Sequence, residues 1–197
     1  MSKLKLLGST SGHTMLSAPA SAGSNTLVLP PNNGTAGQVL QTDGNGNLTW
    51  ITPNAPAFEV YMSSNMTSLA NDTLTKMVFN SEYLDTDSAW DTSNYKFTVP
   101  ANKGGKYVIG ANAYVAAGND MYTQLHIYKN GSSIAYNYNH GAASAGGSLS
   151  NNVQRIITLA ATDTIEFYVA TNASTRTVYT SNNISRTVGY GWRLIGI

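Results

Sequence analysis

The chain contains no cysteine. Disulfides and thiolate metal sites are therefore excluded, although that absence names no compartment. Charge is also scarce. Charged side chains make up 11% of the 197 residues, against about 25% in an average soluble protein. The formal net charge is +1, too little to draw the chain to nucleic acid or to an anionic membrane surface. No apolar run approaches the ~20 residues that span a bilayer, so no membrane insertion is expected. Met1 to Gly8 holds two lysines, Lys3 and Lys5, without an apolar stretch of about 7–15 residues behind them, so no secretory leader is expected. Asn, Ser, Thr, Gly and Ala fill the space that charge leaves. Such a surface suits a protein outside the cytoplasm or packed in an assembly.

Composition divides the chain after residue 56. Residues 1–56 hold five of the six prolines and three charged side chains, Lys3, Lys5 and Asp43. Apolar residues come there in small packets: Leu4 to Leu7, Met15-Leu16, Leu27 to Leu29, Val39-Leu40 and Leu48 to Ile51. No packet is long enough for a helix, and together they offer too little apolar area to close a monomeric core. A disordered linker would not need Leu, Val and Trp at intervals. The expectation is a stem of short strands that buries its packets against other copies of the chain, with Leu27, Leu29, Val39, Leu40 and Trp50 as the packing residues.

Within this region, Asp43-Gly44-Asn45-Gly46-Asn47 invites two readings. A calcium loop of the EF-hand type needs glycine at its sixth position and a bidentate Glu at its twelfth. Counting from Asp43, those positions hold Leu48 and Asn54. A single carboxylate is too little charge to offset dehydration of a divalent cation. Asp-Gly and Asn-Gly instead supply the positive φ that hairpin turns demand, and the flanks Gln38 to Gln41 and Asn47 to Ile51 are β-prone. The loop is read as a turn, and no metal is expected.

From Ala57 on, side chains alternate with period two. Tyr107, Ile109, Ala111, Ala113 and Val115 form one such series. Leu125 and Ile127 form a second, and Ile165, Phe167 and Val169 a third. Turn signals at Lys129 to Ser132 and Ala161 to Asp163 separate them. This reads as an all-β sandwich. About 140 residues in roughly ten strands match a jelly roll in size, so residues 57–197 are expected to form a ten-stranded jelly-roll head.

Aromatic spacing in this second region has a family likeness. Phe79, Asp85, Trp90 and Phe97 are separated by five, four and six residues, and Gly104-Gly105 and Tyr107 follow. This resembles the signature of the complement C1q globular domain, one of the tumour-necrosis-factor-like jelly rolls. Two residues are inserted before Gly105, and Ile109 and Ala111 stand where that family usually has aromatics. Leu125 to Gly131 resembles its Asn-Gly hairpin. Ile157 to Ile165 resembles its Gly-Asp turn without the glycine, and Gly191 to Ile197 its closing strand. The first region resembles fibre stems of tailed-phage structural proteins, in which a Thr26-Leu27-Val28-Leu29-Pro30 packet precedes Gly37-Gln38-Val39-Leu40 and an Asp-Gly turn ending in Trp50. Both likenesses imply a homotrimer. Asp85 and Asp87 are expected to act as loop formers through Asx turns.

Enzyme signatures are missing. There is no Gly-x-Ser-x-Gly elbow, and Lys106 after Gly104-Gly105 lacks the Ser/Thr of a phosphate loop. His13, His126 and His140 form no i, i+4 metal pair. Asp85, Asp87, Asp91, Glu82 and Glu166 could pair as a glycosidase dyad only if folding brought two of them together. The functional expectation is a non-enzymatic virion protein without cofactor: a trimeric fibre or spike reaching the outside in a particle released by lysis. Its stem would join other virion proteins, and its head would adhere to a host-surface glycan. Tyr136, Asn137, Tyr138, Asn139 and His140 are the candidate contacts, since Tyr and Asn together suit sugar recognition. The competing reading makes Tyr136 and Tyr138 one face of a strand buried in the sandwich or at the trimer axis. The tract 141–148 reads as a mobile loop. Alternatives for the whole chain are a capsid-decoration or head-fibre protein, a secreted C1q-like lectin and a polysaccharide-degrading spike. Seven Asn-x-Ser/Thr sequons follow from composition alone.

Overall fold

The structure, a computed structural model, describes residues 3–7, 9–21, 23–116, 121–141, 147–172, 176–180 and 187–194. It contains two compact units, Met1–Pro53 and Asn54–Ile197. The units meet three residues before the boundary read from composition, because Ala55 and Pro56 are buried and the Pro56 carbonyl accepts from Arg193 N at 3.0 Å. Residues 142–146 of the expected mobile loop lie outside the described residues, as do the last three residues of the closing strand.

Unit 1 consists of two hairpins. Strand β1 (Lys3–Leu7) pairs with β2 (His13–Ser17), and β3 (Val39–Thr42) with β4 (Leu48–Ile51), all antiparallel. The turn between β3 and β4 is the Asp43 loop. Gly44 and Gly46 both take positive φ there, +85° and +95°. Asp43 Oδ1 accepts from Asn45 N at 2.8 Å and Asn47 N at 3.1 Å, and Oδ2 accepts from Asn47 Nδ2 at 2.7 Å. The Asn47 amide, foremost among these bonds, lowers the Asp43 pKa. The carboxylate is thus occupied by its own turn.

Unit 2 is an all-β sandwich with no helix among the described residues. Its strands are β5 (Ala57–Tyr61), β6 (Met66–Leu69), β7 (Thr75–Lys76), β8 (Ser81–Asp85), β9 (Trp90–Asp91), β10 (Lys96–Thr98), β11 (Gly105–Ala116), β12 (Met121–Lys129), β13 (Ser132–Gly141), β14 (Ser148–Leu159), β15 (Thr164–Thr171), β16 (Arg176–Val178) and β17 (Val188–Arg193). One sheet runs β13-β12-β15-β10-β9, with β7 also on β15. The other runs β6-β16-β11-β17-β5-β8, with β14 also on β11. After β11 the chain crosses to the first sheet for β12 and β13, returns for β14, and crosses again for β15. That alternation is the jelly roll. The count exceeds ten because β7, β9, β10 and β16 are only two or three residues long, too short to leave an alternating pattern.

The core lies between the sheets and is built on the aromatic signature. Phe79, Phe97 and Tyr107 are fully buried and Trp90 nearly so. Their rings join through Phe58 and Phe167: Phe58 to Phe97 is 4.7 Å, Phe58 to Trp90 5.1 Å and Phe79 to Phe167 5.8 Å. Polar tips are satisfied. Trp90 Nε1 donates to the Phe79 carbonyl at 2.9 Å and the Tyr107 hydroxyl to the Lys103 carbonyl at 2.5 Å. Burial pushes the Tyr107 pKa up to about 12. The departures at Ile109 and Ala111 have a packing reason. Both sit opposite glycines of β17, Gly191 and Gly189, and a Cβ on Gly191 would meet Ile109 Cδ1 at 2.6 Å and Phe58 at 2.8 Å. Space that aromatics of β11 would fill is taken by rings from other strands.

Asp85 caps the loop into β9, accepting from Ala89 N at 3.1 Å and Trp90 N at 2.9 Å. Asp163 joins two turns. It accepts from Lys129 Nζ at 2.8 Å, Asn130 Nδ2 at 2.7 Å and Ala160 N at 2.7 Å. These donors, Lys129 foremost, hold its pKa at about 2.

Candidate functional site

The period-two alternation that fills the core also decorates the outside. On β12, Met121, Thr123, Leu125 and Ile127 point inward and are buried. Tyr122, Gln124, His126 and Tyr128 therefore point outward. Register carries this pattern across the sheet. His126 lies opposite Tyr136 of β13 and Tyr168 of β15. Gln124 lies opposite Tyr138 and Ala170, Tyr122 opposite His140, and Tyr128 opposite Glu166. The outer face of the six-stranded sheet is consequently a field of rings: Tyr122, His126, Tyr128, Tyr136, Tyr138, His140 and Tyr168.

These rings pack on one another. Tyr128 and Tyr168 are 4.3 Å apart by centroid, Tyr122 and Tyr138 4.9 Å, and His126 and Tyr136 5.0 Å at an interplanar angle of 15°. His126 is buried beneath its neighbours. Its Nδ1 is 2.9 Å from Ser133 Oγ and its Nε2 3.0 Å from Gln124 Oε1. Burial lowers its pKa, favouring the uncharged imidazole. Tyr122 hydrogen-bonds the Asp72 carboxylate, and that bond foremost raises the Tyr122 pKa. Glu166 is held by Lys76.

The five residues expected to contact ligand separate into two groups. Tyr136, Tyr138 and His140 belong to the outer face. Tyr136 is 63% exposed and Tyr138 49%, which corrects the competing reading that they are buried in the sandwich. The reason is parity: the inward positions of β13 are the odd ones, Ala135, Asn137 and Asn139, opposite the buried Ile127, Leu125 and Thr123. Asn137 and Asn139 consequently turn to the sandwich edge. Asn137 Nδ2 donates to the Asn152 carbonyl and Asn139 Nδ2 to the Ser150 carbonyl, each at 2.8 Å. From the other side, Asn151 Nδ2 donates to the Asn137 carbonyl at 3.1 Å. Strands β13 and β14 are edges of different sheets, and these amides satisfy edge carbonyls that no ladder reaches. Sequence reasoning missed Tyr122, His126, Tyr128 and Tyr168. The signal was present in the outward half of the alternation whose inward half identified the core.

The expected stem-packing residues are not buried within the chain. Leu27 is 68% exposed and Leu29 70%, while Val39 and Leu40 are near 45%. Trp50 differs. Its Nε1 donates to the Asn32 carbonyl at 2.9 Å, and its ring lies so close over Gly34 that a Cβ there would sit 2.7 Å away. Trp50 thus has intrachain contacts that its packet gave no sign of. A groove of about 440 Å³ beside it is lined by Pro30, Pro31, Gln38 and Leu48 among others.

Four of the five carboxylates weighed as a dyad, Asp85, Asp87, Asp91 and Glu166, have partners within the fold. Asp91 caps Ser93 N and Asn94 N, each at 2.9 Å, and Asp87 lies 3.6 Å from Lys103. Glu82 and Glu166 stand on different sheets. Among the described residues, no group of three or more His, Asp or Glu is placed to hold a metal, and no helix is long and apolar enough to cross a membrane.

No protein-family model matches the chain, and no curated protein matches it. Solved structures do. The globular domain of a zebrafish complement 1qA protein is 17% identical, covers 72% of this chain and 98% of its own, and superposes with a TM-score of 0.51. A structure of Eiger TNF from S. frugiperda is 12% identical, covers 72% of this chain and 93% of its own, with a TM-score of 0.49. The likeness to the complement domain identifies the fold as a C1q/TNF-type jelly-roll sandwich.

Proposed function

We propose that the chain is a non-enzymatic structural protein of a phage-type virion, a homotrimeric fibre or spike. Unit 1 joins three copies and attaches to other virion proteins. Unit 2 is displayed at the particle surface and adheres to a host-surface glycan. One observation carries the assembly. None of the described residues of unit 1 up to Pro53 is buried, while ten large apolar side chains, from Leu4 to Leu40, stand exposed. Each would gain ~1.5–3 kcal/mol on full burial, and unit 1 has no interior to receive them. Copies of the same chain supply one. The number three is what the C1q-like and fibre-stem resemblances imply. A trimer also multiplies the avidity of weak contacts. The non-enzymatic reading is supported by the carboxylates: Asp85 and Asp91 cap turns, and Glu166 is paired with Lys76.

Light scattering of the intact chain tests the proposal. The expected mass is three times the 20.9 kDa of one chain. A single-subunit mass with unit 1 ordered would overturn it.

A further inference from the structure

The ring field has two members built to meet a ligand. Tyr136 and Tyr138 lie on β13, which pairs only with β12 among the described strands. Among the described residues no further strand covers them on their outer flank, and they are the most exposed of its tyrosines. Each is backed by a neighbour, Tyr136 by His126 and Tyr138 by Tyr122. The rings are therefore held before any ligand arrives, which lowers the ordering cost of binding. Two residues apart on one strand, they are spaced by roughly 7 Å.

Charge near these rings bears on the ligand. Lys76 is neutralised by Glu166, and Arg155 reaches the open edge of β13, donating to the Ile134 carbonyl. His126 has Ser133 and Gln124 at its two nitrogens. Asp72, reached by the Tyr122 hydroxyl, adds negative charge. Such a face offers stacking surface and hydroxyls to an uncharged ring.

Resting on the reading of unit 2 as the adhesive part, we infer that Tyr136 and Tyr138 stack on hexoses of a neutral glycan in preference to sialylated, uronic-acid and phosphorylated chains, whose charge the stacking does not use. The full-length protein is applied to an array holding neutral glucans, mannans and galactans beside those three anionic classes. The strongest neutral oligosaccharide is then titrated calorimetrically against wild type, Tyr136→Ala, Tyr138→Ala and Tyr136→Phe at about 50 and 500 mM NaCl, a range that collapses the screening length. Neutral chains should bind with an affinity that salt leaves unchanged. Each alanine should weaken binding about tenfold, and Tyr136→Phe less than about threefold, since stacking survives loss of the hydroxyl. Unchanged melting temperatures confirm that these surface variants fold. Capture of anionic chains alone would overturn the inference and leave adhesion standing. Neutral binding indifferent to both alanines would overturn the site. Capture of no glycan by a protein of trimeric mass would overturn adhesion together with the inference. Loss of the trimeric mass in Tyr136→Ala would make the face a contact between copies and overturn the inference.

Discussion

Unit 1 and unit 2 use the same strand-and-turn vocabulary, rich in Ser, Thr, Asn and Gly, and reach opposite outcomes for apolar side chains. In unit 2, alternation is sustained over strands as long as twelve residues, so one face of each sheet is apolar along its length and two sheets can close on each other. In unit 1, strands of four or five residues offer only two or three positions on either face. That is too few to exclude water from both sides of a hairpin. The difference lies in how long the alternation persists rather than in composition. It separates a unit that carries its own core from one in which no described residue is buried.

The comparison can be broken first where the effect is largest. Phe97→Ala, in the middle of the ring cluster, should destabilise unit 2 by about 3–5 kcal/mol. Denaturant melts followed by near-UV circular dichroism would show it; a loss below about 1 kcal/mol would deny that the signature aromatics are the core. The counterpart in unit 1 is Leu27→Ser with Leu29→Ser. Its cost should appear as dissociation, about 3–6 kcal/mol per chain from two lost burials, with melting made steeply dependent on protein concentration. Sedimentation over a dilution series reads this, and an unchanged mass would sink the partner-surface account.

Smaller effects sharpen the contrast. Gly191→Ala forces a methyl against Ile109 and Phe58 and should cost about 1–3 kcal/mol through overpacking, visible as a lower denaturation midpoint. Asp163→Asn removes a charge-assisted link between two turns and should cost about 1–2 kcal/mol at pH 7. Because folding lowers the Asp163 pKa to about 2, its contribution is complete above the unfolded value of 3.8 and fades as pH falls towards 2. The variant and wild type should therefore converge in acid, which melts between pH 2 and pH 5 would reveal. Asp43→Ala should do least. It frees Asn45 N and Asn47 N, so their amide exchange should quicken while unit 2 melts unchanged.

Local rules were enough for part of the molecule. Glycines at Gly44 and Gly46 with an Asx former before them specify a turn because the interactions close within five residues. Period two specified the inward faces of β11, β12 and β15 because strand geometry alone fixes side-chain parity. The exposed ring face was legible in principle, since outward positions are the complement of inward ones. Assembling it needed the order β13-β12-β15, and that pairing joins residues as far apart as Tyr136 and Tyr168.

The sequence by itself determined the strand content, the hairpin at Asp43, the aromatic core and the poverty of apolar material in the first 53 residues. Each of these depends on near neighbours or on summed area. Tertiary structure decided that Asn137 and Asn139 close a sandwich edge while Tyr136 and Tyr138 face water, that Trp50 lies over Gly34, and that glycines of β17 make room for rings from other strands. Those outcomes depend on which distant strands lie side by side, and register between strands is a property of the packed sheet that no single segment encodes.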